Sequence, residues 1–397
     1  MFLPTIAAGG HNTHFIDINN KLWACGSNKS CQLGVTGGCE MGIPKQVEAV
    51  ENVKLVSSGM DHTLILDLEG NVWGCGNNLF KQAYPDGSDS YTSMTRIPTK
   101  FENISEIDMM SCGDHFSLLL GVDGEVFACG KFSDNVSYKT ATVLNMPTRV
   151  KYLSCGKTHA MALDYEGNAW GMGSNNTGQL GLKQDIIIHE FTMVPNLPQL
   201  NAVSCGGYHT MVLDNDGFAH CVGKNFEGQL GLGDTKTRYT FEKVESLSEI
   251  QQIAAGGLHS LFLDMQGDPW SCGYEVDGQL GFPPVSVPQK AKNFFSSWFG
   301  DPEEKYKKEL AIFHLNTAAL HSPRKINLSN IQFISAGYLH SIFLDTSGHL
   351  WVCGYNDFGQ LATGDTLKRF TPTRIQNVPE ILTILRESAG VKNARKS

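Results

Sequence analysis

Residues Gly156–Gly181 read G-K-T-H-A-M-A-L-D-Y-E-G-N-A-W-G-M-G-S-N-N-T-G-Q-L-G, and the skeleton of this stretch recurs along the chain. Seven units are anchored on Gly9, Gly59, Gly113, Gly156, Gly206, Gly256 and Gly337, at spacings of 50, 54, 43, 50, 50 and 81 residues. Each anchor is followed 17 residues later by a second glycine, from Gly26 to Gly354. A histidine stands three residues after the anchor at His62, His159, His209, His259 and His340, and one place earlier at His11 and His115. Self-similarity at a period near 50 marks a repeat architecture.

Within a unit, Asp164-x-x-Gly167 and its counterparts lie between apolar runs. The Asp carboxylate can bind amides two residues on and the glycine accepts φ > 0, so each is a hairpin turn. A large ring follows at Trp23, Trp73, Phe127, Trp170, Trp270 and Trp351, with His220 as the exception, and is expected in the blade core. The unit closes on N-x-x-G-Q-L-G or a relic of it, and a P-x-x-V/I element such as Pro44 to Val47 precedes the next anchor. That makes about four short strands per unit, the content of a propeller blade. Seven such units bury their faces by closing radially. The predicted fold is all-β: a seven-bladed propeller over residues 1–380, with a tail at 381–397. Because unit one lacks a preceding P-x-x-V, the C-terminal Pro372-Thr373-Arg374-Ile375 is expected to complete the first blade and close the ring.

The chain has 397 residues, a formal net charge of -9 and 18% charged residues, which argues against a general nucleic-acid coat or a polybasic membrane binder. No stretch approaches the roughly 18 apolar residues of a membrane span, and the N-terminus lacks a signal peptide's basic region. An odd count of 11 cysteines in a chain of this size points to free thiols in a reducing compartment, hence a cytoplasmic protein, with the nucleus also open to it. Eight cysteines directly precede a repeat glycine, a structural placement, while Cys31 and Cys39 are the two expected to be exposed. The chain carries no G-x-S-x-G, H-E-x-x-H, P-loop or C-x-x-C motif, so no catalytic residue, cofactor or metal is assigned. A metal ring on the axis built from the aligned histidines is the weaker rival.

With G-x-x-H, D-x-x-G, W-x-x-G and N-x-x-G-Q-L-G at this spacing, the chain resembles the regulator of chromosome condensation repeat family, from about residue 5 to 380. Kelch repeats share the spacing but not the G-Q-L-G ending, and tryptophan-aspartate repeats are shorter. The family includes exchange factors for small GTPases, substrate-binding modules of ubiquitin ligases, and scaffolds. Unit three, S-C-G-D-H-F-S-L-L-L-G-V-D-G-E-V-F-A-C-G-K-F-S-D-N, is similar to the repeat of the nuclear-transport exchange factor that bears a protruding β-wedge. The resemblance implies Asp114 in a loop that faces the GTPase and Lys131, Phe132, Ser133, Asp134 and Asn135 at the wedge. It also implies that His259 supplies the histidine presented to the partner; Asp61, before His62, sits in another blade and is a further candidate for GTPase binding. Where the family's next repeat has an Asp before its His, this chain has Thr158. The family's basic N-terminal arm is missing too, so direct nucleic-acid or nucleosome contact is not expected.

The 81-residue step between units six and seven holds an insertion at about 282–321. Asp301-Pro302-Glu303-Glu304 reads as a helix start, and Phe294, Phe295, Trp298 and Phe299 before it either dock on the disc or anchor a partner. The reading is a monomeric protein-interaction propeller, a regulator of a small GTPase by exchange. The alternative is a scaffold or substrate-recognition module linked to ubiquitin ligation.

Overall fold

The computed structural model describes residues 5–84, 92–96, 106–133, 136–183, 186–283, 321–376 and 378–381; for 92–96 only the course of the strand is described. Among these residues lie seven four-stranded antiparallel sheets, each built from four consecutive strands in sequence order. Blade one takes Ile6–Ala8, Asn12–Ile16, Leu22–Ser27 and Glu40–Gln46; blade seven takes Ile331–Ala336, His340–Asp345, Leu350–Gly354 and Arg369–Arg374. Each second strand is buried along its length, save Asp345 at the end of blade seven's, because it has a neighbouring strand on both sides and a neighbouring blade on both faces. The insertion segment 284–320, with the expected helix and Phe294, Phe295, Trp298 and Phe299, lies outside the described residues, as do Asp134 and Asn135.

One expectation is corrected. The strand holding Pro372 pairs with the third strand of its own blade, Trp351 with Arg374 and Val352 with Thr373. Blade one builds its outer strand from its own Pro44 element, Trp23 facing Gln46. The P-x-x-V element thus belongs to the unit it follows, because the nearest unpaired edge is the third strand just laid down. The two ends of the chain meet in blade one only beyond that strand, where Ile381 forms an isolated antiparallel bridge with Asp17.

Closure comes instead from a belt around the axis. The residue after six of the seven anchor glycines donates its amide to a carbonyl of the next blade: Gly10 to Gly59 at 3.1 Å, Asp114 to Lys157 at 3.2 Å, Gly207 to Gly256 at 3.0 Å, and across the seam Tyr338 to Gly9 at 3.2 Å. This belt explains the anchor glycine: a Cβ on Gly206 would stand 2.4 Å from Gly256 O and 2.4 Å from the His209 ring. The second glycine is needed for its backbone, since Gly223 has φ 110° and a Cβ there would meet Tyr208 O at 2.6 Å.

The repeated histidine bridges blades. His209 Nε2 lies 2.9 Å from Ser260 Oγ, and that hydroxyl gives its own proton to Gln229 O at 2.7 Å, so the ring nitrogen is the donor. His62 and Ser117, His159 and Thr210, and His259 and Ser341 repeat the arrangement at 2.8–2.9 Å, and His340 with Thr13 at 3.0 Å latches the seam. Burial holds these imidazoles neutral, pushing His209 down to about 4 and His259 to about 3. The Cys thiol beside the second glycine also donates to the preceding blade's Gln carbonyl, as Cys272 does to Gln229 O at 3.6 Å. All eleven cysteines are free; Cys39 is exposed and Cys31 half-buried.

The aromatic ring at position 14 is a turn clasp rather than core. Trp170 is half-buried and its Nε1 donates to Asp164 Oδ2 at 3.0 Å, while Oδ1 of the same carboxylate accepts the amides of Glu166 and Asn168. His220 keeps the function with Nε2 at 2.8 Å from Asp214 Oδ2. Unit three has Gly121 in place of the Asp, and there the ring is Phe127, fully buried.

Candidate functional face

Antiparallel order sends the first and third connections of every blade to the same end of the disc, so the anchor loops and the N-x-x-G-Q-L-G loops share one face. The residues after the anchors ring its axial mouth: Gly10, Met60, Asp114, Lys157, Gly207, Gly257 and Tyr338, around about 90 Å³ of free space.

Blade three departs from the pattern on this face. In the other blades the third strand ends at or next to the second glycine, as Val72–Gly76 and Ala219–Gly223 do. Here it runs on as Val126–Ser133 and returns as Val136–Leu144, with Gly130 paired to Tyr138, Lys131 to Ser137 and Ser133 to Val136. A hairpin stands where the other blades carry a loop. Phe132 is its foundation: the ring is 1% exposed and stacks on Phe116 with centroids 3.7 Å apart, while Tyr138 meets it edge-on at 6.0 Å.

This foundation accounts for three exceptions at once. Phe116 occupies the latch histidine's place. Without a G-Q-L-G loop in blade three there is no Gln carbonyl for blade four to dock on, and blade four carries Ala160 instead of the hydroxyl and Met172 instead of the cysteine. Phe116, Phe132, Val136, Ala160 and Met172 form one apolar cluster.

At the mouth, Asp114 Oδ2 lies 3.6 Å from Lys157 Nζ. Burial pushes the Asp114 carboxyl up to about 6, against the pull of Lys157, and Asp61 adds to the rise. Burial raises Asp61 as well, while His11 and His115 on either side draw it back; Gln32 Nε2 donates to Asp61 Oδ1 at 3.4 Å. Both histidines are lowered, chiefly by burial. The rim alternates cations and rings: Lys131 Nζ is 5.2 Å from the Phe80 centroid, Phe80 is 5.2 Å from His115, and Lys157 Nζ is 5.3 Å from Tyr208. Phe226 is 64% exposed at the edge.

Of the residues expected at the site, Asp61, Asp114, Lys131 and Ser133 do lie on this face, in blades two and three. Two are corrected. Phe132 is buried under the hairpin and offers no surface to a partner. His259 is fully buried and its Nε2 is committed to Ser341, so it is a blade latch and not a contact. Sequence reading missed Lys157, His115 and Phe80. Aligning the residue after each anchor would have shown Asp114 and Lys157 as the two charges in a ring of seven.

The RCC1-like domain model matches residues 87–392, and models of the regulator of chromosome condensation (RCC1) repeat match residues 19–66 and 53–82. Among curated proteins the chain is similar to the human probable E3 ubiquitin-protein ligase HERC6, 31% identical over 190 residues, 44% of this chain and 18% of that protein. It is also similar to the dog X-linked retinitis pigmentosa GTPase regulator, 32% identical over 122 residues, 27% of this chain and 12% of that protein. The matches thus span less than a fifth of either relative. Among solved structures, Prp20p of Saccharomyces cerevisiae, described with its binding to Gsp1p and histones, superposes with a TM-score of 0.77 at 24% identity, covering 92% of this chain and 88% of that one. Human WBSCR16 superposes at 0.74 with 19% identity over 89% and 93%. These likenesses carry the fold, and with three quarters of its length matched by one domain model the chain belongs to the regulator of chromosome condensation (RCC1) repeat family.

Proposed function

We propose that the chain is a protein-interaction propeller that regulates a small GTPase, using the blade-three hairpin and the Asp61/Asp114 mouth to favour the nucleotide-free partner. The observation that supports it is the hairpin itself: blade three gives up the regular loop and latch to raise two paired strands beside Asp114. An exchange factor needs only to bind one state of its partner better than another. A rigid disc with a fixed projection and desolvated carboxylates meets that need without bond-making chemistry of its own. The free thiols agree with a cytoplasmic setting.

The test is nucleotide release from a panel of small GTPases with the intact chain and with Asp114→Asn. The expected result is acceleration for one GTPase and a several-fold loss in the variant with no fall in melting temperature. The second reading, a recognition module linked to ubiquitin ligation, is favoured by the match to HERC6. Absence of acceleration across the panel, with selective capture of ligase components by the intact chain, would replace the first reading with the second.

A further inference from the structure

The opposite face carries the D-x-x-G turns, and it has a feature the fold does not require. In blades one to four the residue after the turn position is large and apolar: Ile18, Leu68, Val122 and Tyr165, each at least half exposed. Three of the tips are tied down through their amides, Ile18 to Glu380 O at 3.0 Å, and Leu68 to Asn52 O and Val122 to Glu106 O at 2.8 Å. Four apolar side chains at one position of adjacent blades form an arc, and not the singly scattered apolar surface of an ordinary protein. The arc is lined with exposed acids. Lys21 answers Glu51 at 3.7 Å, but Glu69, Glu106, Asp123 and Glu166 have no ion pair among the described residues.

The described chain leaves the disc at the start of this arc. Ile381 forms an antiparallel bridge with Asp17, and Ile18 donates its amide to Glu380 O at 3.0 Å. The sequence that follows, 382–397, begins with Leu382, Ile384 and Leu385 and continues with Arg386, Lys392, Arg395 and Lys396 against one acid, Glu387. Sixteen residues reach about 50 Å when extended. In sequence order the apolar residues come first and the bases follow, matching an arc that begins with Ile18 and Leu68 and carries acids along its length.

We propose that residues 382–397 dock in cis along the Ile18–Leu68–Val122–Tyr165 arc, apolar residues on the tips and bases on Glu69, Glu106, Asp123 and Glu166. The occupied arc lies on the face away from the blade-three hairpin, so the proposal stands or falls apart from the exchange reading.

Hydroxyl-radical footprinting of the full chain tests it, against a variant with Arg386→Glu, Lys392→Glu, Arg395→Glu and Lys396→Glu. A tail docked about two thirds of the time slows oxidation of Leu68 and Tyr165 about threefold relative to the variant, while Met265, a blade-six tip outside the arc, is unchanged. Raising salt to about 0.5 M should narrow the difference, as screening weakens exposed charge pairs. Adding Glu69→Lys, Glu106→Lys, Asp123→Lys and Glu166→Lys to the tail variant should restore the protection. Equal oxidation of the arc in wild type and tail variant, or no rescue by the swapped charges, overturns the proposal. Protection that appears only with a concentration-dependent dimer in sedimentation velocity overturns the cis assignment.

Discussion

At the junction of blades five and six a neutral imidazole, a hydroxyl and a loop carbonyl form a chain of two hydrogen bonds, His209 to Ser260 to Gln229, all fully buried. At the junction of blades three and four the same space holds Phe116, Ala160 and Met172, and the loop has become a hairpin. Each solution is complete in its own terms. A buried hydroxyl needs both of its partners, so once the loop carbonyl is gone, polar residues at this place would be orphaned. The coordinated switch of three residues in two blades follows from one change of backbone, and it leaves behind an aromatic foundation on which the hairpin can stand.

The comparison is broken most severely by removing the foundation. Phe116→Ala deletes a fully buried ring that carries both the blade junction and Phe132. The expected cost is about 3–4 kcal/mol, read as a lower urea midpoint. Amide exchange at Lys131, Ser133 and Ser137 should rise well beyond what the global loss explains. Exchange in the hairpin that follows global stability alone would show that Phe116 supports the blade and not the projection.

A pair of reciprocal substitutions tests whether the two junctions are alternative solutions. Ser260→Ala leaves His209 Nε2–H without its partner and Gln229 O with only the weak Cys272 thiol donor, and should cost about 2 kcal/mol. Ala160→Ser does the reverse at the apolar junction: it inserts a hydroxyl where neither histidine nor loop carbonyl waits, and should also cost about 1–2 kcal/mol. If Ala160→Ser proves neutral, the absence of the Gln loop does not explain Ala160.

The turns offer a milder version of the same contrast. Trp170→Phe removes the N–H that Asp164 Oδ2 accepts, and should cost about 1 kcal/mol. Burial acts to raise the Asp164 carboxyl, but the bonds from Trp170 and Asn168 outweigh it and hold it below the usual carboxylate range. A group with a depressed folded pKa contributes stability above its unfolded pKa and loses it as pH falls through the folded value. Trp170→Phe should therefore flatten the acid limb of the stability curve below about pH 4, as differential scanning calorimetry would read it. Phe127→Trp in unit three has no such acid to meet, only Gly121.

The blade count was readable because glycines forced by a neighbour's carbonyl recur at fixed spacing whatever surrounds them. The Asp turns were readable for the same reason. Ownership of the outer strand was not, since Pro44 to Val47 lies between two anchors and nothing in its residues says which third strand it will pair with. The clasp between Trp170 and Asp164 was hidden because two residues six apart in sequence become neighbours only once the hairpin is turned. Unit three, which lacks both Asp and Trp, held the clue. The hairpin was visible in G-K-F-S-D-N through family likeness, but that likeness misassigned Phe132 and His259. An aromatic or histidine looks the same in sequence whether it faces a partner or the next blade; only the loss of the latch histidine at Phe116, opposite Phe132, marked the difference.

The smallest effect expected is at the mouth, where charge and not packing separates blade three from the regular blades. Asp114 is pushed up to about 6 chiefly by burial, with Lys157 pulling the other way and Asp61 adding to the rise. With its folded pKa above the unfolded value, the native state holds more protons than the unfolded state between about pH 4 and pH 6. Stability contributed at this site is then greatest below that window and falls as pH rises through it. Solvent at the mouth reduces the effect to on the order of 1 kcal/mol. Asp114→Asn should remove that decline and leave the protein slightly more stable at pH 7 than wild type, measured by urea unfolding at pH 4, 5, 6 and 7. Glycine in the same ring at Gly207 and Gly257 carries no such cost, so an acid that destabilises its own blade points to a use outside the fold. A variant less stable at every pH would instead make the Lys157 pair a structural contact, and the mouth would lose its claim as the place where a partner binds.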